Sequence, residues 1–126
     1  MVYPLSRESP EWEGGVEDPR VVKAPEEAQA TGVGPYVMTY TAYDGAVARL
    51  CVASSENLRE WTRHGFAFAG TELERAWSKS GAIACRWKRA EGQDGGADAD
   101  WECVAERIDG LYWMYVFRRR AVGGGG

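Results

Sequence analysis

Pro35-Tyr36-Val37-Met38-Thr39-Tyr40-Thr41-Ala42-Tyr43, then Asp44-Gly45, then Ala46-Val47-Ala48-Arg49-Leu50-Cys51-Val52-Ala53-Ser54, reads as one β-hairpin. The first run is β-branched and aromatic throughout, the composition of a strand. Asp-Gly between two such runs is the chemistry of a two-residue hairpin turn. Both runs are apolar on both faces, so the sheet is expected to be covered on two sides. Arg49 is out of place there and needs a partner or a ligand.

Upstream, Gly14-Gly15-Val16-Glu17-Asp18-Pro19-Arg20-Val21-Val22-Lys23 reads as a short strand holding two acids, a proline and an arginine. Side chains alternate along a strand, which puts Asp18 with Arg20 on one face and Glu17 with Val21 and Lys23 on the other. Pro19 cannot donate to a ladder, so the segment belongs at a sheet edge or a bulge. Such a strand suits a cavity wall; it equally suits a solvated edge whose charges block aggregation.

Downstream, Ser55-Glu56-Asn57-Leu58 makes a turn through local bonding by Ser and Asn. Arg59 to Phe68 forms the next strand, with Trp61 and His64, the chain's one histidine. Ala24 to Gly34 is a loop, and the four strands make a meander. Glu72 to Ala76 is expected to form one helical turn. A second meander is expected from Trp77-Ser78-Lys79-Ser80-Gly81-Ala82-Ile83 onward. Its clearest hairpin pairs Trp101–Ile108 with Leu111–Phe117 across Asp109-Gly110. Tyr36-Val37-Met38 and Tyr112-Trp113-Met114 take comparable places in the two units, a weak repeat at a propeller-blade period. Arg86 to Asp100 is polar and rich in Gly and Asp, and reads as a disordered insertion. The expected organisation is an irregular segment at 1–13, a β domain at 14–117 with an insertion at 84–102, and a disordered tail at 118–126.

A chain of 126 residues supports one ordinary domain core. Its net charge of −4 argues against a general nucleic-acid binder. No long apolar run exists, so no membrane span is expected, and the N-terminus lacks a signal peptide's apolar core. Cys51, Cys85 and Cys103 have no metal-site spacing, and an odd count is no disulfide framework. Reduced cysteines, a cytoplasmic location and no metal or cofactor are therefore expected. Six Trp and six Tyr suit sheet packing and sugar stacking alike.

Gly-Val-Glu-Asp-Pro-Arg at 15–20, Tyr36 to Gly45 and Ala48-Arg-Leu-Cys-Val-Ala-Ser together resemble glycoside hydrolase family 130, the β-mannoside phosphorylases and related glycosidases. Ser54 to Trp61 resembles a blade-end turn shared more widely among five-bladed glycosidases. Trp77 to Ile83 and Ile108 to Tyr115 resemble the following blade. The resemblance implies an all-β fold, about two four-stranded antiparallel blades of a five-bladed β-propeller. It covers 14 to 115, and each blade takes around 40–50 residues, so the propeller is incomplete. Ala84 to Glu102 intervenes where the family pattern runs on directly. Together these predict a gene fragment or an imperfect gene model, with activity in question.

Phosphorolysis needs an acid to protonate the leaving oxygen, while phosphate replaces activated water as nucleophile. Cations must then hold the phosphate, arginine best for its fork. Asp18 matches the catalytic aspartate that the resemblance implies, delivering its proton through a sugar hydroxyl. Arg49, Lys79 and His64 are candidates for the anion site, and Arg20 and Tyr43 for substrate or phosphate contact. Each has a structural alternative. Asp18 could pair with Arg20, Arg49 could bridge strands in an ion pair, His64 could be a turn residue and Lys79 a solvated one. Tyr43, Trp77 and Trp113 could stack on sugar faces, with core packing the competing role for the tryptophans. The implied co-substrate is inorganic phosphate and the implied partner an oligosaccharide or mannoside. A hydrolase of a related family would need a second carboxylate, with Glu17, Asp44 and Glu106 available; an inactive remnant or binding module would need neither.

Overall fold

The computed structural model describes residues 14–30, 32, 34–90 and 100–119. The expected irregular segment at 1–13, the centre of the polar stretch at 91–99 and the tail from 120 lie outside the described residues. Strands β1 (Val16–Lys23), β2 (Tyr36–Tyr43), β3 (Ala48–Ser55) and β4 (Thr62–Phe66) pair antiparallel in chain order, the expected meander. The loop after β1 carries one short helix, α1 (Glu26–Gln29).

β2 is covered on both faces, as its composition requires. Met38, Tyr40 and Ala42 pack with Cys51 and Ala53 of β3 under Trp61 and Phe66. Thr39 and Thr41, on the opposite face, are buried as deeply. The turns follow local chemistry. Asn57 and Leu58 amides donate to Ser55 Oγ, and Arg59 and Glu60 amides donate to Asn57 Oδ1. Asp44 builds a four-residue loop rather than the expected two-residue turn, since Tyr43 and Ala48 are the last pair of the ladder. Its Oδ1 accepts from the Ala46 and Val47 amides at 2.9 and 2.8 Å. Those two bonds, and the Arg49 guanidinium on its other oxygen, lower its pKa to about 2.

The second unit departs from a simple meander. Ser78 to Arg89 forms one bent run, β5 (Ser78–Ile83) and β6 (Cys85–Arg89), broken at Ala84. β7 (Trp101–Ala105) pairs with β6, and β10 (Met114–Arg118) pairs with β5. Between them β8 (Arg107–Ile108) and β9 (Leu111–Tyr112) form a small hairpin of their own across Asp109-Gly110. The Glu106 amide donates to the Ala84 carbonyl, and the Ala84 amide to the Trp113 carbonyl, so the ladder leaves and rejoins at one residue. The turn chemistry was therefore legible and the long pairing was not. Trp101–Ala105 and Met114–Arg118 face the 78–89 run rather than each other, and that run pairs with both at once, carrying the ladder across Ala84.

Three further expectations are corrected. Residues 86–89 lie in β6, so the first part of the polar stretch is a paired strand. All of β6 is exposed, which is why its hydrophobicity is low. Cys85 and Cys103 form a disulfide, since the β6–β7 register brings them together across 18 residues; Cys51 is free and buried. Glu72 to Ala76 makes successive turns closed by Glu74–Thr71 and Ala76–Leu73 backbone bonds, not a helix. Arg118, placed with the tail by its basic run, ends β10 opposite Ser78.

The two units meet in two ways. β7 joins the outer side of β1 as a parallel neighbour at Lys23 and Val104, giving the sheet order β4-β3-β2-β1-β7-β6. The Lys23 ammonium sits 2.7 Å from Glu102 there. β5 instead lies across the face of β1 to β3. Leu50 N donates to Ser78 Oγ, and Thr39 Oγ1 donates to the Gly81 carbonyl at 2.6 Å. A Cβ on Gly81 would stand 2.6 and 2.7 Å from the Leu50 methyls, so only glycine lets the strand approach this closely. Exposed apolar side chains concentrate on β8 to β10, at Ile108, Leu111, Trp113, Tyr115 and Phe117.

Gly81→Ala should overpack the Leu50 contact and cost about 1–3 kcal/mol, read as a lower denaturation midpoint with an unchanged slope. Asp44 gives a pH test. Its folded pKa is depressed, so its contribution to stability is present above the unfolded value of 3.8 and is lost as pH falls through about 2. Asp44→Asn should melt below wild type at pH 6, and the gap should close toward pH 2.

Candidate active site

β1 takes one residue too many for its partner. Glu17 stands opposite Thr41 and Arg20 opposite Thr39, leaving Asp18 and Pro19 against a single residue of β2. This is a β-bulge, and the proline, with no amide to offer, sits in the one place a ladder does not need it. Asp18 adopts φ +53, a left-handed conformation that costs a non-glycine residue about 1–2 kcal/mol. The expected alternation fails as a result. Asp18 does not pair with Arg20; adjacent residues Glu17 and Asp18 both reach toward β5.

β5 answers with a bulge of its own. Tyr115 pairs with Ala82 and Phe117 with Lys79, so Ser80 and Gly81 share one opposing residue. Ser80 is at φ +54. Its Oγ donates to Asp18 Oδ2 at 2.8 Å, and its amide donates to Thr41 Oγ1 at 3.2 Å. Beside it, Lys79 Nζ lies 3.6 Å from Glu17 Oε1, with both side chains partly open to solvent. Two bulged strands thus meet through the side chains of two strained residues. Such strain persists where surrounding structure over-determines it, and it gathers at functional sites.

The structure gathers Asp18, Lys79, Glu17 and Ser80 at this point. Arg20 is exposed and, among the described residues, makes no hydrogen bond or ion pair. Arg49 is held by Asp44, with its guanidinium 5.0 Å from the Phe66 ring centre. That satisfies the anomaly in the hairpin from within the turn, rather than across strands. Tyr43 donates its hydroxyl to the Gly45 carbonyl at 2.8 Å and packs its ring against Gly14. His64 is the extra residue of a further bulge, on β4, and its Nε2 is 2.7 Å from Ser54 Oγ. It lines a separate cleft of about 280 Å³ with Glu56, Asn57, Glu60 and Trp61, which none of the other candidates lines.

Ser80 was not singled out from sequence. The signal for it was the Ser-Gly pair inside a strand pattern, since glycine there marks a bulge or a close backbone approach. Among the described residues no three His, Cys, Asp or Glu side chains group to hold a metal. No helix among them is long and apolar enough to cross a membrane. The arrangement offers a carboxyl group held at one oxygen by a hydroxyl, with a lysine close by. It can donate a proton at the free oxygen and hold an anion nearby.

A family model for β-1,4-mannooligosaccharide phosphorylase matches residues 6–91. No curated protein matches the chain. Among solved structures, one is described as from the GH130 family of mannoside phosphorylases that contains glycoside hydrolases targeting β-1,2 mannosidic linkages in Candida mannan. It is 37% identical, superposes with a TM-score of 0.63, and matches 83% of this chain over 25% of its own. A glycosyl hydrolase from Bacteroides ovatus is 35% identical with a TM-score of 0.67, matching 90% of this chain over 28% of its own. The chain therefore spans about a quarter of the length of these structures. With a bulged Gly-Val-Glu-Asp-Pro-Arg strand and more than half its length matched, the chain belongs to glycoside hydrolase family 130.

Proposed function

We propose that this chain carries the acid-bearing part of a β-mannoside phosphorylase, which cleaves a mannosyl linkage with inorganic phosphate. The observation that carries the reading is the Ser80–Asp18 contact between two left-handed residues on facing bulges. Asp18 supplies the proton for the leaving oxygen, relayed through a sugar hydroxyl. Ser80 holds one carboxylate oxygen, leaving the other for the sugar. Lys79, loosely paired with Glu17, and Arg20, exposed and without an ion pair among the described residues, are the candidate cations for phosphate. Arg49 joins them only by leaving Asp44, and His64 only by leaving Ser54. Tyr43 offers a ring beside the same end of the sheet.

A hydrolytic reading has one observation in its favour. The bulge brings the Glu17 carboxylate to β5 beside Asp18, and a hydrolase needs a second carboxylate to activate water. Phosphate separates the two. Incubating a full-length relative that shares residues 15–20 with β-1,4-mannobiose should yield mannose 1-phosphate only when phosphate is present. Cleavage at an equal rate without phosphate would establish the hydrolase instead.

Asp18→Asn in that protein should lower turnover about a hundred- to ten-thousandfold, because the amide has the shape of the carboxylate but is no acid. Wild-type turnover would remove Asp18 from catalysis. The strain itself is measurable in this chain. Asp18→Gly should be more stable than Asp18→Ala by about 1 kcal/mol, since glycine alone takes the left-handed conformation without cost. Equal melting temperatures would show that the bulge relaxes and holds Asp18 under no constraint.

A further inference from the structure

The joint between β1 and β7 is narrow for one that completes a six-stranded sheet. Its ladder has a single parallel rung, Lys23 with Val104, beside the Lys23–Glu102 ion pair. An ion pair of this kind adds little. β6 ends the sheet order, so β7 is its one strand neighbour among the described residues. Arg86, Lys88 and Arg89 make β6 mostly cationic. A two-stranded ribbon is marginal on its own, and one with little apolar patterning has a weakly specified register. A slip of one residue would turn Val104, now buried, to the opposite face.

The disulfide stands where that slip would begin. Cys85 is opposite Ala105 and Cys103 opposite Trp87, so the bond crosses the ribbon diagonally. The Cα atoms are 5.9 Å apart, a separation that a disulfide spans without moving the backbone. Cys85 follows Ala84, whose carbonyl accepts from the Glu106 amide, and Cys103 precedes Val104, which meets β1. The bond thus lies between the ribbon's two attachments and fixes the register of both. It also closes a separation of 18 residues, whose freedom returns to the chain when the bond is broken. The third thiol does not compete, because Cys51 is buried in the β2–β3 core.

We propose that Cys85 and Cys103 are a redox-controlled fastener for the β1–β7 joint. Oxidised, the pair seats β7 against β1; reduced, the β6–β7 ribbon leaves its register while the β1–β4 meander stays folded. The reductant is a dithiol. Its thiolate attacks one sulfur to form a mixed disulfide, and its second thiol then displaces the other cysteine. Two electrons and two protons pass to the protein as two thiols, and the dithiol ends as its own disulfide. The six-stranded sheet is then complete only where thiols are oxidised.

The test is amide hydrogen exchange on the 126-residue chain in three forms: oxidised, refolded in excess dithiothreitol, and Cys103→Ser. Refolding under reductant and the serine variant both remove the bond whether or not another part of a longer protein covers it. Exchange at 85–89 and 101–105 is expected to quicken at least about tenfold in both bond-free forms, with β2 and β3 changed less than twofold. Removing dithiothreitol and adding oxidised glutathione should restore protection in the reduced wild type and not in Cys103→Ser. Unchanged protection at 101–105 without the bond overturns the proposal. Equal loss across β2, β3 and β7 overturns it too, since the bond would then brace the whole fold rather than one joint. If Cys103→Ser does not fold, Cys85→Ser and the reduced wild type give the same reading, and failure of all three to fold counts as that equal loss. An oxidised chain in which peptide mapping finds Cys51 in the disulfide also overturns it. None of these readouts involves Asp18 or phosphate, so the proposed function stands or falls separately.

Discussion

Two threonine hydroxyls in an otherwise apolar strand hold the site together. The β5 bulge takes Ser80 and Gly81 out of the ladder with β10 and leaves their backbone groups facing the sheet interior. A buried amide or carbonyl without a partner costs more than most single contacts return. Thr41 accepts from the Ser80 amide and Thr39 donates to the Gly81 carbonyl, so the crossing is satisfied only where those hydroxyls stand. Thr39 and Thr41 point the same way because they are two apart on β2. That alternation fixes where β5 crosses, which fixes Ser80, and Ser80 fixes the Asp18 carboxyl.

The first meander was legible because its instructions are local. Asn57, Ser55 and Asp44 each satisfy backbone groups within three residues, and the β-branched runs between them have one sensible pairing. Pro19 marked the strand as a sheet edge or a bulge, of which the structure shows the bulge, and Asp18 was singled out through the motif around it. The second unit was hard to read for the opposite reason. Its strands choose partners across long separations, and β7 and β10 both chose the 78–89 run over the nearer hairpin partner. The Cys85–Cys103 bond depends on that same register, and no spacing rule announces it. Arg49 was correctly seen as anomalous, yet its partner lay five residues back in the turn. Ser80 went unnoticed because a serine in a strand is unremarkable until its backbone turns left-handed.

The three bulges divide into two kinds. Those on β1 and β5 face each other and bring Glu17, Asp18, Lys79 and Ser80 into reach. The one on β4 turns His64 toward Ser54 on the neighbouring strand and away from that group. Residue type alone had placed His64 and Lys79 in one anion site. Bulge position separates them, since an extra residue changes which side of a sheet a side chain reaches.

Ala84 gives the chain a place where evolution or an experimenter can add length. The ladder departs at Glu106 and resumes at Trp113 on the two backbone groups of this one residue, so the β8–β9 hairpin is a side branch on a continuous pairing. A longer peptide spliced between those two anchors alters no register upstream or downstream, and closing a longer loop adds only about 0.6 kcal/mol for each doubling. Copies of this fold are therefore free to differ in the size of that branch while keeping the same sheet beneath it, and a reporter or recognition peptide grafted there would be displayed on a fixed base.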